Sequence, residues 1–391
     1  MLRRYAIIEV NDQLRSLGAS PKAAGQQAGE KFKLHTAELN EREVLDTRQD
    51  PNVADLGLVM PTRLIAPVSK LGLPADAAPA TQWGISAVGA DRIKLDGSGV
   101  VVAVLDTGID KTHPSFLDSV NIVEEDFSGS GNGDSNGHGT HCAGTIFGKD
   151  LDGRRIGIAR NIRKALIGKV FADGEGDSFA IFKAMQWAAR EGANIISMSL
   201  GFDFPGMIHD LEKDQYPTDL AISIALEHFK DNLRVYDSMM RLIEAGQAFG
   251  RGPMVVAAAG NESRRGEDAR FRISASLPSA AEGMVSVAAV RKAQDGFEIA
   301  DFSNGRAKIC APGENIVSAG LKGGLATMSG TSMACPHVAG VAALWWQAIA
   351  ASKVRATAES VTIRLLGSAS VDKLPNFDPG DAEYGLAIAP P

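Results

Sequence analysis

Cysteine is scarce in this chain: 391 residues contain only Cys142, Cys310 and Cys335. An odd, sparse set supplies neither a disulfide framework nor a zinc-ligand spacing, and it fits a reducing compartment. Long apolar runs are also missing. No stretch approaches about 18 consecutive apolar residues, so no membrane-spanning helix and no membrane partner are expected. The opening MLRRYAIIEV has two arginines, but its apolar run is short and is soon interrupted by Glu9, Asn11 and Asp12. No export signal is visible there, which points to a cytoplasmic protein; a leader already removed would leave the same text and mean secretion. Basic runs are absent and the net charge is −7, so nucleic acid is not an expected partner. Glycine, by contrast, is plentiful. Its 42 copies favour an α/β enzyme with many tight turns over a helical bundle.

Residues 1–65 read as a small α+β unit of their own. Tyr5–Val10 has the pattern of a strand and Pro21–Phe32 that of a helix. Asn40–Arg48 reads as a second helix, entered by Asn40 with Glu43 three residues on, a capping-box pattern. Val53–Ile65 is expected to be extended. Residues 66–80 turn to Pro, Ala and Gly, the composition of a linker. From Gly99 onward the texture changes, and residues 81–391 read as one larger domain. Apolar, largely β-branched runs recur at Val100–Leu105, Lys164–Phe171, Asn194–Leu200, Met254–Ala258 and Met284–Val290. Helical stretches such as His138–Phe147 and Ser178–Glu191 lie between them. That alternation implies an α/β fold, a mostly parallel sheet with helices on both faces. Asp219–Phe249, with Leu220, Ile224, Leu233, Tyr236, Met240 and Ile243 near helical spacing, reads as one long helix or two short ones elaborating the surface.

Four segments carry chemistry when taken together. Val-Leu-Asp106-Thr-Gly ends a buried strand, where an open α/β sheet places its ligands and catalysts, although a turn-capping Asp reads equally well alone. In Asn-Gly-His138-Gly-Thr-His141, flanking glycines leave His138 approachable as a general base. The i, i+3 pair His138 and His141 suits a metal as well, but no third ligand stands at a suitable spacing. Ala-Ala-Gly-Asn261 follows a strand, so its amide is either a turn residue or a donor to a developing oxyanion. In Gly-Thr-Ser332-Met-Ala-Cys-Pro, Ser332 opens a helix and is surrounded by N–H groups that have no intrahelical partner. Pro336 reads as a first-turn proline, and Ala334, Ala339 and Gly340 as close-packing positions.

In this order the segments VLDTGID, NGHGTHCAGT, ISMSLG, AAAGNE and GTSMACPHVAG resemble the subtilisin family, as do FSNGRAKICAPGENI and EYGLAI. The resemblance runs from about Gly84 to the end. It implies a serine endopeptidase acting on protein or peptide substrates, with Ser332 as nucleophile, His138 as base, Asp106 orienting it and Asn261 in the oxyanion hole. Ser199, Leu200 and Gly201 match the family's substrate-binding strand, and Gly174, Glu175 and Gly176 the opposite wall. Glu175 would favour a basic substrate side chain; otherwise it is a solvated loop charge. Ser276 and Ala257–Gly260 would line the main specificity pocket and suit an unbranched apolar or medium side chain.

LNEREVLDTRQDPNVADLGLV is similar to the second half of the family's inhibitory propeptide, making residues 1–65 the chain's own partner. The implied self-cleavage falls between Ile65 and Ala80. An insertion over residues 202–252 begins just after the substrate-binding strand, where it would shape the cleft or dock a partner. The chemistry requires no cofactor. The resemblance implies structural calcium, but the family's usual strong site looks incomplete because Ser115 follows His113-Pro114; Asp150 and Asp152 in the nearby loop read as ligands of a different cation or as an ordinary polar turn. Cys142 would lie beside the catalytic histidine, and Met333 would make the enzyme sensitive to peroxide. The rival reading is a catalytically silent scaffold that binds a protein partner.

Overall fold

The computed structural model describes residues 2–10, 32–65, 67–72, 81–117, 120–247 and 252–391. Arg3–Val10 (β1) is the middle strand of an antiparallel sheet, flanked by Phe32–Leu39 (β2) and Val53–Leu58 (β3). Three consecutive residues of β1, Ala6, Ile7 and Ile8, are buried because this sheet is covered on both faces. Ile7 meets Val44 and Leu56 under helix α1 (Glu41–Gln49), while Ala6 and Ile8 join a core of the larger domain. The expected capping box is present: Asn40 Oδ1 accepts from the N–H groups of Arg42 and Glu43, and Glu43 accepts from Asn40 N–H at 2.8 Å. The expected helix Pro21–Phe32 lies outside the described residues except for Phe32, which opens β2 and is buried against the larger domain.

The chain then crosses to the larger domain as two short strands, Pro61–Leu64 (β4) and Ser69–Gly72 (β5). The span expected to be a linker therefore contains a strand. Helix α2 (Trp83–Ala87) precedes the central sheet. Val101–Asp106 (β6), Asn121–Asp126 (β7) and Lys164–Lys169 (β8) run parallel to one another, with helix α3 (His138–Phe147) between the last two in sequence. Glu175–Asp177 (β9) leads directly into helix α4 (Ser178–Arg190). Ile195–Met198 (β10) returns to the sheet and Leu200–Gly201 (β11) leaves it. Two helices follow, α5 (Phe204–Lys213) and α6 (Thr218–Gln247). Met254–Ala258 (β12), Val285–Ala293 (β13), Gly296–Ile299 (β14) and Ile309–Pro312 (β15) extend the sheet. Ile316–Ala319 (β16) and Leu325–Ser329 (β17) form a hairpin before helices α7 (Thr331–Ala351) and α8 (Ala358–Gly367).

The sheet order is β14-β13-β12-β10-β6-β8-β7, with β15 also on β13, and only β14 is antiparallel among the described strands. Alternation along β6 explains the layering. Val102 and Val104 face α3 and α7, whereas Val101, Ala103 and Leu105 face α4 and α6. A strand that is apolar at every position is stable only between two covering layers.

As far as Gln247, where the described residues break off, the 219–249 segment is a single helix, and it is more than surface elaboration. Val235, Tyr236, Met239, Met240 and Ile243 are buried, while Leu220 points outward at 47% exposure. Each such buried side chain contributes about 1.5–3 kcal/mol. The far face of α6 carries β3: Asn232 donates to Leu58 O at 3.0 Å and Ser238 to Asp55 at 2.8 Å. Gly57 permits this approach, since a Cβ there would lie 2.6 Å from Val235 Cγ2.

Candidate active site

Asp106 is the last residue of β6, at the carboxyl edge of the parallel sheet where helices and loops leave an open end. It is fully buried, and its Oδ1 accepts from His138 Nδ1 at 2.7 Å and from Thr107 N–H at 2.8 Å. That bond fixes the tautomer of His138, whose Nε2 is buried and makes no hydrogen bond. His138 is placed by glycines on either side. Gly137 has φ 91°, and a Cβ at Gly139 would lie 2.2 Å from Gly108 O, so neither position tolerates a side chain.

Ser332 is the second residue of α7. Its Oγ donates to the carbonyl of Ile65 at 3.0 Å and lies 3.4 Å from Ser199 O. Asn261 follows β12 in the same end of the sheet. Its Oδ1 accepts from both the N–H and the hydroxyl of Thr331, each at 2.9 Å. The amide nitrogen is thereby turned toward Gly330, where a Cβ would stand 3.0 Å from it. A Cβ there would also stand 3.7 Å from the Ser332 N, so Asn261 Nδ2 and the Ser332 N–H border the same space, an arrangement suited to a developing oxyanion.

Pro336 is not a first-turn proline. It is the sixth residue of α7, so it deprives the Ser332 carbonyl of its helical donor. Two side chains replace that donor, Ser199 Oγ at 2.9 Å and Cys142 Sγ at 3.4 Å. Cys142 also lies 3.9 Å from His138 Nδ1, beside the histidine as the resemblance implies. Burial and then the Asp106 charge push its thiol well above the ordinary range, which keeps it protonated and unsuited to be a nucleophile. Met333, next to Ser332, is fully buried.

The His138–His141 metal pair does not form. His141 donates instead to Ile316 O at 3.0 Å, and burial lowers its pKa to about 3. Asp150, considered as a cation ligand with Asp152, is paired with Arg160 at 2.8 Å. Among the described residues, one group of metal-type donors lies close together: Asp106, His138 and Cys142. A three-member set with a protonated thiol and an Asp–His bond already made does not fit a structural metal.

One organising residue escapes the motif reading. Asp134 accepts five hydrogen bonds, from Thr107 Oγ1, Asn136 N–H, Gly137 N–H, Thr140 N–H and Thr140 Oγ1. Thr107 Oγ1 in turn accepts from Gly139 N–H at 2.9 Å. One carboxylate therefore ties the residue after Asp106 to both sides of His138. An Asp four residues before the histidine was the only available signal, and in a Gly/Ser/Asn-rich loop it reads as a turn.

A cleft runs across this site, and the chain itself fills it. β4 is sandwiched between β11 and β9: Leu64 pairs Leu200, Arg63 pairs Gly201 and Glu175, and Thr62 pairs Gly176. Leu64 N–H also donates to Gly174 O at 3.1 Å. Past Ile65 the chain continues to Val68, whose N–H donates to Ser329 O at 2.8 Å, and then into β5 on the edge of β17. The residue delivered to Ser332 is the β-branched Ile65. Gly201 makes room for it, since a Cβ there would lie 2.8 Å from Ile65 Cδ1. Ser276 does not present its hydroxyl to the cleft but donates it to Phe202 O, bracing the turn after β11.

A family model described as the subtilase family matches residues 97–381. The chain is 28% identical over 331 residues to the subtilisin-like serine protease Pen c 1 of Penicillium citrinum, covering 80% of this chain and 69% of that protein. It is 30% identical over 293 residues to subtilisin DY of Bacillus licheniformis, covering 72% and 92% respectively. To the major intracellular serine protease of Bacillus subtilis (strain 168) it is 33% identical over 260 residues, covering 64% and 69%. The family match spans the central sheet together with Asp106, His138, Asn261 and Ser332. This chain therefore belongs to the subtilase family and is a serine endopeptidase acting on protein or peptide substrates.

Proposed function

We propose that the enzyme is made as a zymogen that cuts itself between Ile65 and Ala66, and that Ser332, His138, Asp106 and Asn261 perform this cut and every later one. The observation that carries the reading is the Ile65 carbonyl, 3.0 Å from Ser332 Oγ at the end of a strand paired on both sides. Ser332 Oγ attacks that carbonyl carbon while His138 Nε2 takes the hydroxyl proton. Asp106 holds the imidazole and balances its charge as the imidazolium forms. Negative charge on the carbonyl oxygen is met by Asn261 Nδ2 and the backbone N–H of Ser332. The carbon–nitrogen bond then breaks, His138 returns its proton to the departing Ala66 amine, and water activated by the same histidine releases Ile65 as a carboxylate. Residues 1–65 act as the inhibitory propeptide, held by α6 and by the two cleft strands. Ser199, Leu200 and Gly201 on one side, with Gly174, Glu175 and Gly176 on the other, bind later substrates by the same main-chain pairing.

Intact mass of the purified wild type beside Ser332→Ala, with casein hydrolysis in parallel, tests this. Wild type loses 65 residues and digests casein, whereas Ser332→Ala stays whole and inert. If both stay whole and neither cuts, self-processing is wrong, and the silent-scaffold alternative, which no observation favours, returns.

A further inference from the structure

Helix α5 starts three residues after the cleft strand β11, and core formation does not account for it. None of its residues is buried. Phe204 and Met207 rest against the core beneath, and Phe204 stacks edge-on with Phe202 and Phe229. These contacts anchor the helix and set its polar face beside the strand that occupies the cleft. From that face Asp210 reaches to 3.4 Å of Arg63 Nη2. On the opposite wall Glu175 is the register partner of Arg63 in the β4–β9 pair. Directly paired residues of an antiparallel sheet project from the same side, so the third residue counted back from the attacked carbonyl has an acid on each wall.

We infer that Asp210 and Glu175 form an acidic subsite that selects arginine or lysine three residues before the cut, counting Ile65 as the first and Arg63 as the third. The inference rests on β4 occupying the cleft as a substrate does. It moves the preference earlier assigned to Glu175 onto a particular substrate position and adds a partner from the insertion. The long arm of Arg63 is 62% exposed and Asp210 47% exposed, so the pair is solvated and screened. Selection at such a site is a matter of about three- to tenfold at low ionic strength, and salt erodes it. Lys213 sits 2.9 Å from Asp210 on the same helix. Its hydrogen bond and charge, with Arg63 contributing less, hold the Asp210 carboxyl below its ordinary range, so the subsite is ionised at any pH where a histidine base works.

The test uses processed wild type, Asp210→Asn, Glu175→Gln and the double variant against peptides that differ only at the third position: Arg, Lys, Gln or Glu. The readout is kcat/KM at low salt and at about 1 M salt. The Arg and Lys peptides should be cut about three- to tenfold faster than the Gln peptide at low salt, with Glu slowest. Each single variant should shrink the Arg/Gln ratio, the double variant should bring it to about one, and high salt should do the same to wild type. A ratio near one in wild type, or a ratio unmoved in the double variant, overturns the subsite while leaving the protease intact. If no peptide is cut and Ser332→Ala behaves as wild type does, the protease reading fails and takes the subsite with it.

Discussion

Asp134 holds the loop on both sides of His138, because its carboxylate accepts from Thr107, Asn136, Gly137 and Thr140. Asp106, His138 and Ser332 are readable because each sits in a short segment whose glycines and small residues have few other uses. Asp134 works only through five bonds that converge in space, and nothing local marks it. Asp134→Asn replaces one acceptor oxygen by a donor that must face another donor, the Thr140 N–H on the Oδ2 side or the Asn136 and Gly137 N–H groups on the Oδ1 side. The expected cost is about 1–3 kcal/mol. Because the mismatch falls around His138, kcat should drop more than KM rises, and a kcat unchanged from wild type would remove Asp134 from the positioning machinery. Pro336 teaches the same lesson in reverse. A proline near a helix start was read by its position in the sequence, but its consequence is a freed Ser332 carbonyl that Ser199 and Cys142 must satisfy.

At the level of elements, the strongly periodic and fully buried pieces were readable, and the short edge pieces were not. β6, β8, β10 and β12 announce themselves because each must be apolar on both faces. β2 and β5 gain their structure from a neighbouring strand, β1 in one case and β17 in the other. The partner strand defines each of them, so neither β2 nor β5 is legible in its own residues. α6 was recognised as helical, but its buried face depends on what covers it, and the covering layer is the N-terminal sheet. Gly57 tests that docking. Gly57→Val would push a side chain into Val235 and the Asp231 carbonyl. In the uncut Ser332→Ala chain it should lower stability by about 1–3 kcal/mol in denaturant unfolding. In the wild-type background, if residues 1–65 are the proposed propeptide, casein activity should appear sooner after the cut, because a more weakly held unit leaves faster. Equal stability and equal lag would mean that the β3–α6 contact does not hold the propeptide.

For the molecule as a whole, burial of neutral histidines makes acid its weak side. His141 is fully buried with its pKa lowered to about 3, and His337 likewise to about 4, both chiefly by burial. His228 is lowered too, again by burial first. A histidine whose folded pKa is depressed contributes stability that is complete above its unfolded value of about 6.5 and is lost as pH falls toward the folded one. In that interval the unfolded chain takes up protons that folded His141 and His337 refuse, at about 1.4 kcal/mol per pH unit for each of these two. Glu262 works the other way. Burial raises its pKa, so the folded state gains a proton as the medium acidifies, but one group does not offset three. Paired surface carboxylates such as Asp268, held low by Arg270, add their own loss only below about pH 4. Between pH 6.5 and 5 the histidines therefore dominate. Denaturant unfolding of the Ser332→Ala chain, which cannot digest itself, should show stability falling steadily across that interval. His337→Gln should be less stable than its parent at pH 8 yet lose less on acidification, since the Met333 carbonyl is then met without a group that protonates. A parent whose stability is level from pH 7 to 5, or a variant with the same slope, would show that buried histidines do not set the acid limit.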